Sequence, residues 1–157
     1  MAADEKLREQ LLELLRGGHA HMSFDQVVRD FPLDRINTRP PNTPYTPWRL
    51  LEHMRIAQWD IVEFIRDPDY ESPEWPEGYW PDDEREANEE QWQDTLEAFR
   101  SDRRALEKMV TDPQVDLQAD LAHAEGYNVL REVLVVADHS AYHIGELAMM
   151  RQVMDIW

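Results

Sequence analysis

The segment YNVLREVLVVADHSAYHIGELAMMRQVM, Tyr127 to Met154, decides the fold. It contains no proline, and its apolar residues recur at helical spacing, which predicts one helix roughly 40 Å long at about 1.5 Å per residue. Inside it, DHSAYHIGEL (Asp138–Leu147) places two imidazoles four positions apart beside a glutamate. At about 100° per residue, Val136, His139, His143, Glu146 and Met150 fall within about 80° of one another on the helix surface. His143 shares the row Val136, Met150, Trp157 and should face a bundle interior. His139 lies on the neighbouring row with Glu132, Glu146 and Val153.

Three other helical segments precede it. The first runs from about Asp4 to Arg16, with Leu7, Leu11, Leu14 and Leu15 on one stripe and Gly17-Gly18 as the stop. The next begins at Pro47, because Thr46-Pro47 sets a capping hydroxyl before a proline at the first helical position. It runs to about Arg66, with an apolar face of Leu50, Met54, Ala57, Ile61 and Phe64, and Asp67-Pro68 ends it. The third, about Asp83 to Thr111, carries Trp92, Leu96, Phe99, Leu106 and Val110 at bundle periodicity before Asp112-Pro113. A short extra helix is expected in SFDQVVRDF, with Ser23 as N-cap and Pro32 as terminator. Four amphipathic helices and no strand-like alternation of comparable length predict an all-α four-helix bundle, with residues 1–157 as one domain.

Between the second and third long helices lies YESPEWPEGYWP, Tyr70 to Pro81. Its prolines forbid a helix, and its aromatic rings are expected to pack across the body of the protein, the alternative being a lid or partner surface. A loop containing His123 and Gly126 should lead into the last helix, with His123 at the surface capping nearby carbonyls.

Composition narrows the function. The 157 residues contain no cysteine, which excludes disulfides and thiolate ligands or nucleophiles and fits a cytoplasmic location. The formal charge of -17 argues against a nucleic-acid partner or an anionic membrane surface, since both are held through Lys and Arg. The opening MAADEKLREQLLELLRGG has no uninterrupted apolar run, so neither a signal peptide nor a membrane span is expected there.

The histidines carry the chemistry. An i, i+4 pair on a helix can chelate one divalent ion, because both side chains lean over the same turn. His19 and His21 follow the Gly-Gly stop and read as solvated. His53 lies mid-helix beside Leu50, Ala57 and Phe64, where a lone imidazole would have to be desolvated and hydrogen-bonded. Two readings therefore stand: His53, His139 and His143 converging on a metal, or three separately satisfied buried histidines. Zinc-protease chemistry in its usual form is unavailable, because Ser140 stands where H-E-x-x-H needs its glutamate. A ferritin-like dinuclear site is disfavoured, because none of the three has a Glu three residues before it.

PWRLLEHMRIAQWDI (Pro47–Ile61), the arm YESPEWPEGYWP and VADHSAYHIGEL (Val136–Leu147) together resemble the DinB-like superfamily of metal-dependent enzymes, over about Phe24 to Trp157. The resemblance implies a bundle of rearranged, not simply up-down, topology and a divalent metal held by His53, His139 and His143. Members include thiol-dependent transferases and a maleylpyruvate isomerase that uses a low-molecular-weight thiol, and homodimers are common. Ser140 departs from the pattern, in which an Asn often follows the first His of the pair. Nothing in this sequence identifies a pocket for such a thiol.

The resulting expectation is a mononuclear three-histidine site for Zn²⁺ or Ni²⁺ in a transferase or hydrolase-like enzyme, and not a closed structural site, since no fourth Cys or His is placed to complete one. Glu146 is the nearest carboxylate for orienting a ligand or moving a proton, or else a solvated residue on the helix flank. Tyr142, pointing roughly 60° or more from the ligand face, is expected in the core or a dimer contact. The alternative is a non-catalytic dimeric metal-binding or sensing module of the same fold.

Overall fold

The computed structural model describes residues 2–157. Its long helices are α1 (Ala2–Arg16), α3 (Pro47–Arg66), α4 (Glu89–Thr111) and α5 (Val129–Met154), with a short α2 (Phe24–Val28) after the first. Helix starts are set by side chains that take over otherwise unpaired backbone N–H groups. Ser23 and Gln26 form a capping box on α2, and Thr46 accepts from the Arg49 amide at the start of α3, where Pro47 fills the first helical position. Asn128 accepts from the Arg131 amide to open α5.

Two boundaries differ from expectation. The acidic run after Pro81 does not open α4; Asn88 and Gln91 form the capping box that starts it at Glu89. Asp83 instead pairs with the buried Arg49 guanidinium at 2.7 Å. The segment before α5 is a small antiparallel hairpin, β1 (Asp120–Leu121) with β2 (Ala124–Asn128), in which Gly126 takes a left-handed φ of 81°. Strands this short carry too few residues to register as alternation.

α3 packs against both α4 and α5, and α1 lies against α4 and α5 in place of α3. Chain-successive long helices α1 and α3 are thus not principal neighbours, and the bundle is not a simple up-down one. Trp92, Leu96, Phe99, Leu106 and Val110 are all buried, as their spacing predicts. The α3 face is rotated from the expected one: Leu51, Gln58 and Val62 are buried with Leu50 and Met54, while Ala57, Ile61 and Phe64 are only half-buried. In α1, Leu11 is buried but Leu14 is 46% exposed, because α1 meets its neighbours along Leu7, Leu11 and Leu15.

The largest core group joins Phe24, Trp48, Leu51, Met54, Phe99 and Leu147, with Phe24 stacked on Phe99 at 4.1 Å between centroids. Each such side chain contributes about 1.5–3 kcal/mol on burial. This core grips α3 and α5 at the level of His53 and His143, so both helices are held by packing before any ion is considered. No described helix is long and apolar enough to cross a membrane.

Candidate metal centre

α3 and α5 bring three imidazoles together. One nitrogen from each of His53, His139 and His143 lies within 4.8 Å of the others, and this is the only such cluster among the described residues. The His139 Nε2 is 3.1 Å from the Nε2 of His53 and 3.1 Å from that of His143. Donors on one tetrahedral Zn²⁺ at about 2.0–2.1 Å would stand about 3.3 Å apart, so this spacing fits a shared ion with little movement.

The tautomers follow from the outer partners. His53 Nδ1 lies 2.9 Å from the Tyr79 carbonyl oxygen, which can only accept, so Nδ1 carries the hydrogen and donates it. His143 Nδ1 likewise donates to the Glu146 carboxylate at 2.7 Å. With Nδ1 committed to those acceptors, Nε2 is the nitrogen by which each ring can ligate, and both face the same point. A single N–H on His139 Nε2 can serve only one of them at a time, which leaves the cluster under-satisfied without a cation. The donor set fits a divalent metal.

Burial keeps two of the rings neutral. Desolvation pulls His53 down to about 4, against the opposing bond to the Tyr79 carbonyl. The same cause, followed by its histidine neighbours His143 and His53, pulls His139 down to about 3. Neutral imidazole is the form that ligates.

The outer shell comes largely from irregular chain. Trp80 stacks flat on His53, 3.8 Å between centroids and 3° between planes, and Tyr45 stacks on Trp80 at 4.8 Å. The Tyr45 hydroxyl donates to the same Glu146 oxygen that receives His143, at 2.8 Å. Burial and then the Glu146 carboxylate raise the Tyr45 phenol above its ordinary value, so it stays a donor. Tyr79 donates through its hydroxyl to Asp60 at 2.7 Å, which ties the arm to α3 two turns beyond His53.

Glu146 is thus half-buried and bonded to His143, not a solvated flank residue. The arm covers His53 through Trp80 and Tyr79, but it does not bury every ring: Trp75 is 68% exposed at the tip, touching Tyr79 at 5.4 Å. Tyr142 is not in the core. It is 66% exposed, beside Tyr45 and Glu146, with its ring edge-on to His143 at 5.0 Å. His19 and His21 are exposed, and His123 reaches the Phe64 carbonyl near the end of α3 at 2.8 Å, far from the cluster in sequence and role. Glu132, on the His139 row, is buried and paired with Arg131.

The rings of Tyr79 and Trp80 belong to the arm expected to pack on the body, but nothing in the sequence singles out these two or Tyr45 as partners of the histidine cluster. The one available signal for Tyr45 was its place just before the Thr46 cap, fixed to the start of the helix that carries His53.

The sequence profile described as the DinB superfamily matches residues 16–147, which include all three histidines and Glu146. No curated protein and no solved structure matches the chain.

Proposed function

The chain belongs to the DinB superfamily, and from that premise we propose that it is a metal-dependent enzyme with a mononuclear site on His53, His139 and His143. The convergence of three Nε2 atoms from two helices, two of them with tautomers set by Tyr79 and Glu146, is the observation that carries this reading. Three protein ligands leave a position for water or substrate, as catalytic rather than structural sites do. A bound Zn²⁺ or Ni²⁺ would supply Lewis acidity towards a water or a thiol, which suits hydrolase-like or thiol-dependent transfer chemistry.

The protein's own groups do the rest. The Tyr79 carbonyl and the Glu146 carboxylate hold two ligand rings in the ligating tautomer and raise their basicity. Trp80 covers one face of His53 and keeps water from it. Glu146, held by Tyr45, is the carboxylate placed to accept a proton beside the site.

Titrating tag-free protein with Zn²⁺ should show one ion per chain, and X-ray absorption should show three imidazole nitrogens plus an exchangeable oxygen. No stoichiometric uptake would defeat the reading. Four protein ligands and no exchangeable oxygen would favour the non-catalytic module. Glu146→Gln keeps an acceptor for His143 but removes the charge, and should weaken Zn²⁺ by roughly tenfold, the low end for an outer partner. Competition against a chromogenic chelator measures it.

A further inference from the structure

α5 leaves large apolar side chains exposed on one stretch that faces a cavity. Between the connector Asn42–Tyr45 and α5 lies a space of about 560 Å³, within the range of small-molecule sites. Pro44, Tyr45, Met149 and Val153 supply much of its wall, and Met149 and Val153 are 62% and 53% exposed there. Glu146 is the only charged residue of its lining, with Asn42, Thr43 and Tyr142 as further polar groups, and no lysine or arginine lines it.

Gly145 lies on the same wall. A glycine inside a helix costs roughly 1 kcal/mol relative to alanine. Nothing in this fold requires it: a Cβ built on Gly145 would meet no atom within 4 Å, and its φ is not in the left-handed range. The missing side chain deepens the cavity and does not relieve packing. Both protein bonds to Glu146, from His143 and Tyr45, fall on Oε2, so Oε1 is the oxygen left for a ligand.

We infer that this cavity binds the apolar tail of an uncharged substrate whose hydroxyl or amide head donates to Glu146 beside the ligand ring of His143. The inference rests on the metal reading for its catalytic meaning, but the binding it describes can be measured without metal. In the metal-free protein an anionic head is refused, because it would meet the Glu146 carboxylate with no lysine or arginine in the lining to offset it. The two methionines in the wall suit a flexible aliphatic chain, since their side chains adapt to irregular shapes.

The probes are 1-octanol and octanoate, which share a chain and differ in head charge, titrated calorimetrically into metal-free and Zn²⁺-loaded full-length protein. In metal-free protein octanol should bind at least about tenfold more tightly than octanoate, a difference of about 1.4 kcal/mol. Gly145→Leu, which fills the cavity, should cut octanol affinity by about tenfold or more while Zn²⁺ uptake stays at the wild-type level. Met149→Lys, at an exposed position, should reverse the preference and admit octanoate. Equal binding of the two probes, octanol binding untouched by Gly145→Leu, or no reversal in Met149→Lys would overturn the proposal. So would a dimer in sedimentation that Gly145→Leu splits, because a second copy would then cover the cavity. Failed octanol binding with normal Zn²⁺ uptake removes this proposal alone, and failed uptake with octanol bound removes the metal reading alone.

Discussion

His139→Ala should abolish stoichiometric divalent-metal binding while the bundle stays folded. His139 is the hub of the cluster, the ring whose Nε2 stands 3.1 Å from both others. Its hydrogen bonds in the protein run only through that atom, so no second partner would hold a metal in its place. Two rings on separate helices would remain, and the loss should exceed the roughly 10–100-fold that follows removal of an outer partner. The fold should tolerate the change, because α3 and α5 are clamped by Leu50, Leu51, Met54 and Leu147. Without metal, the variant should lie within about 1 kcal/mol of wild type, the size of an ordinary substitution. Adding Zn²⁺ should raise the melting midpoint of wild type and leave the variant unmoved. Metal content by elemental analysis and melting by far-UV circular dichroism check both halves. A variant that still binds one ion per chain would show that the hub lies elsewhere.

The histidine cluster was legible because helices make face geometry computable. His139 and His143 share a face at i, i+4, and His53 sits beside an apolar stripe, so the burial of two follows from period and packing, whereas the meeting of all three is left open by spacing and is implied only by the family resemblance. Thr46-Pro47 and Ser23 were legible for a different reason: capping is local, and the partner lies within three residues. What surrounds the cluster was not legible. The Tyr79 partner of His53 is a backbone carbonyl, which every residue possesses, and Trp80 reaches the ring from a proline-rich arm with no period. The start of α4 was misplaced because acidic residues favour a helix N-terminus, yet Asp83 had a distant cation in Arg49 that no local rule reveals. Tyr142 is exposed and not in the core; its angle on α5 places it off the ligand face without saying what, if anything, packs there. Propensity reads along the chain; the outer shell of this site is made across it.

Acid should separate this site from one built of ordinary histidines. Three imidazoles of unperturbed affinity would all be protonated in metal-free protein below about pH 6.5, and each bound ion would displace about three protons. Here burial holds His53 at about 4 and His139 at about 3, so both stay neutral and available well below that point. Between pH 6.5 and 5, ion binding should therefore release no more than about one proton, and affinity should fall by at most about tenfold per pH unit. The same shifts act on stability with a definite sign. Once unfolded, these histidines regain a value near 6.5 and take up protons below it, while the folded rings do not. The unfolded state then binds more protons, so metal-free protein should lose stability steadily as pH falls from about 6.5 towards about 4. Below the folded values, both states are protonated and these two rings cause no further change. Zn²⁺ titrations in buffers of different ionisation enthalpy count the protons, and urea unfolding of metal-free protein across the same range gives the slope. Release of three protons per ion at pH 5.5, or a stability flat from pH 7 to 4, would mean that the rings are not held in the desolvated cluster on which the metal reading depends.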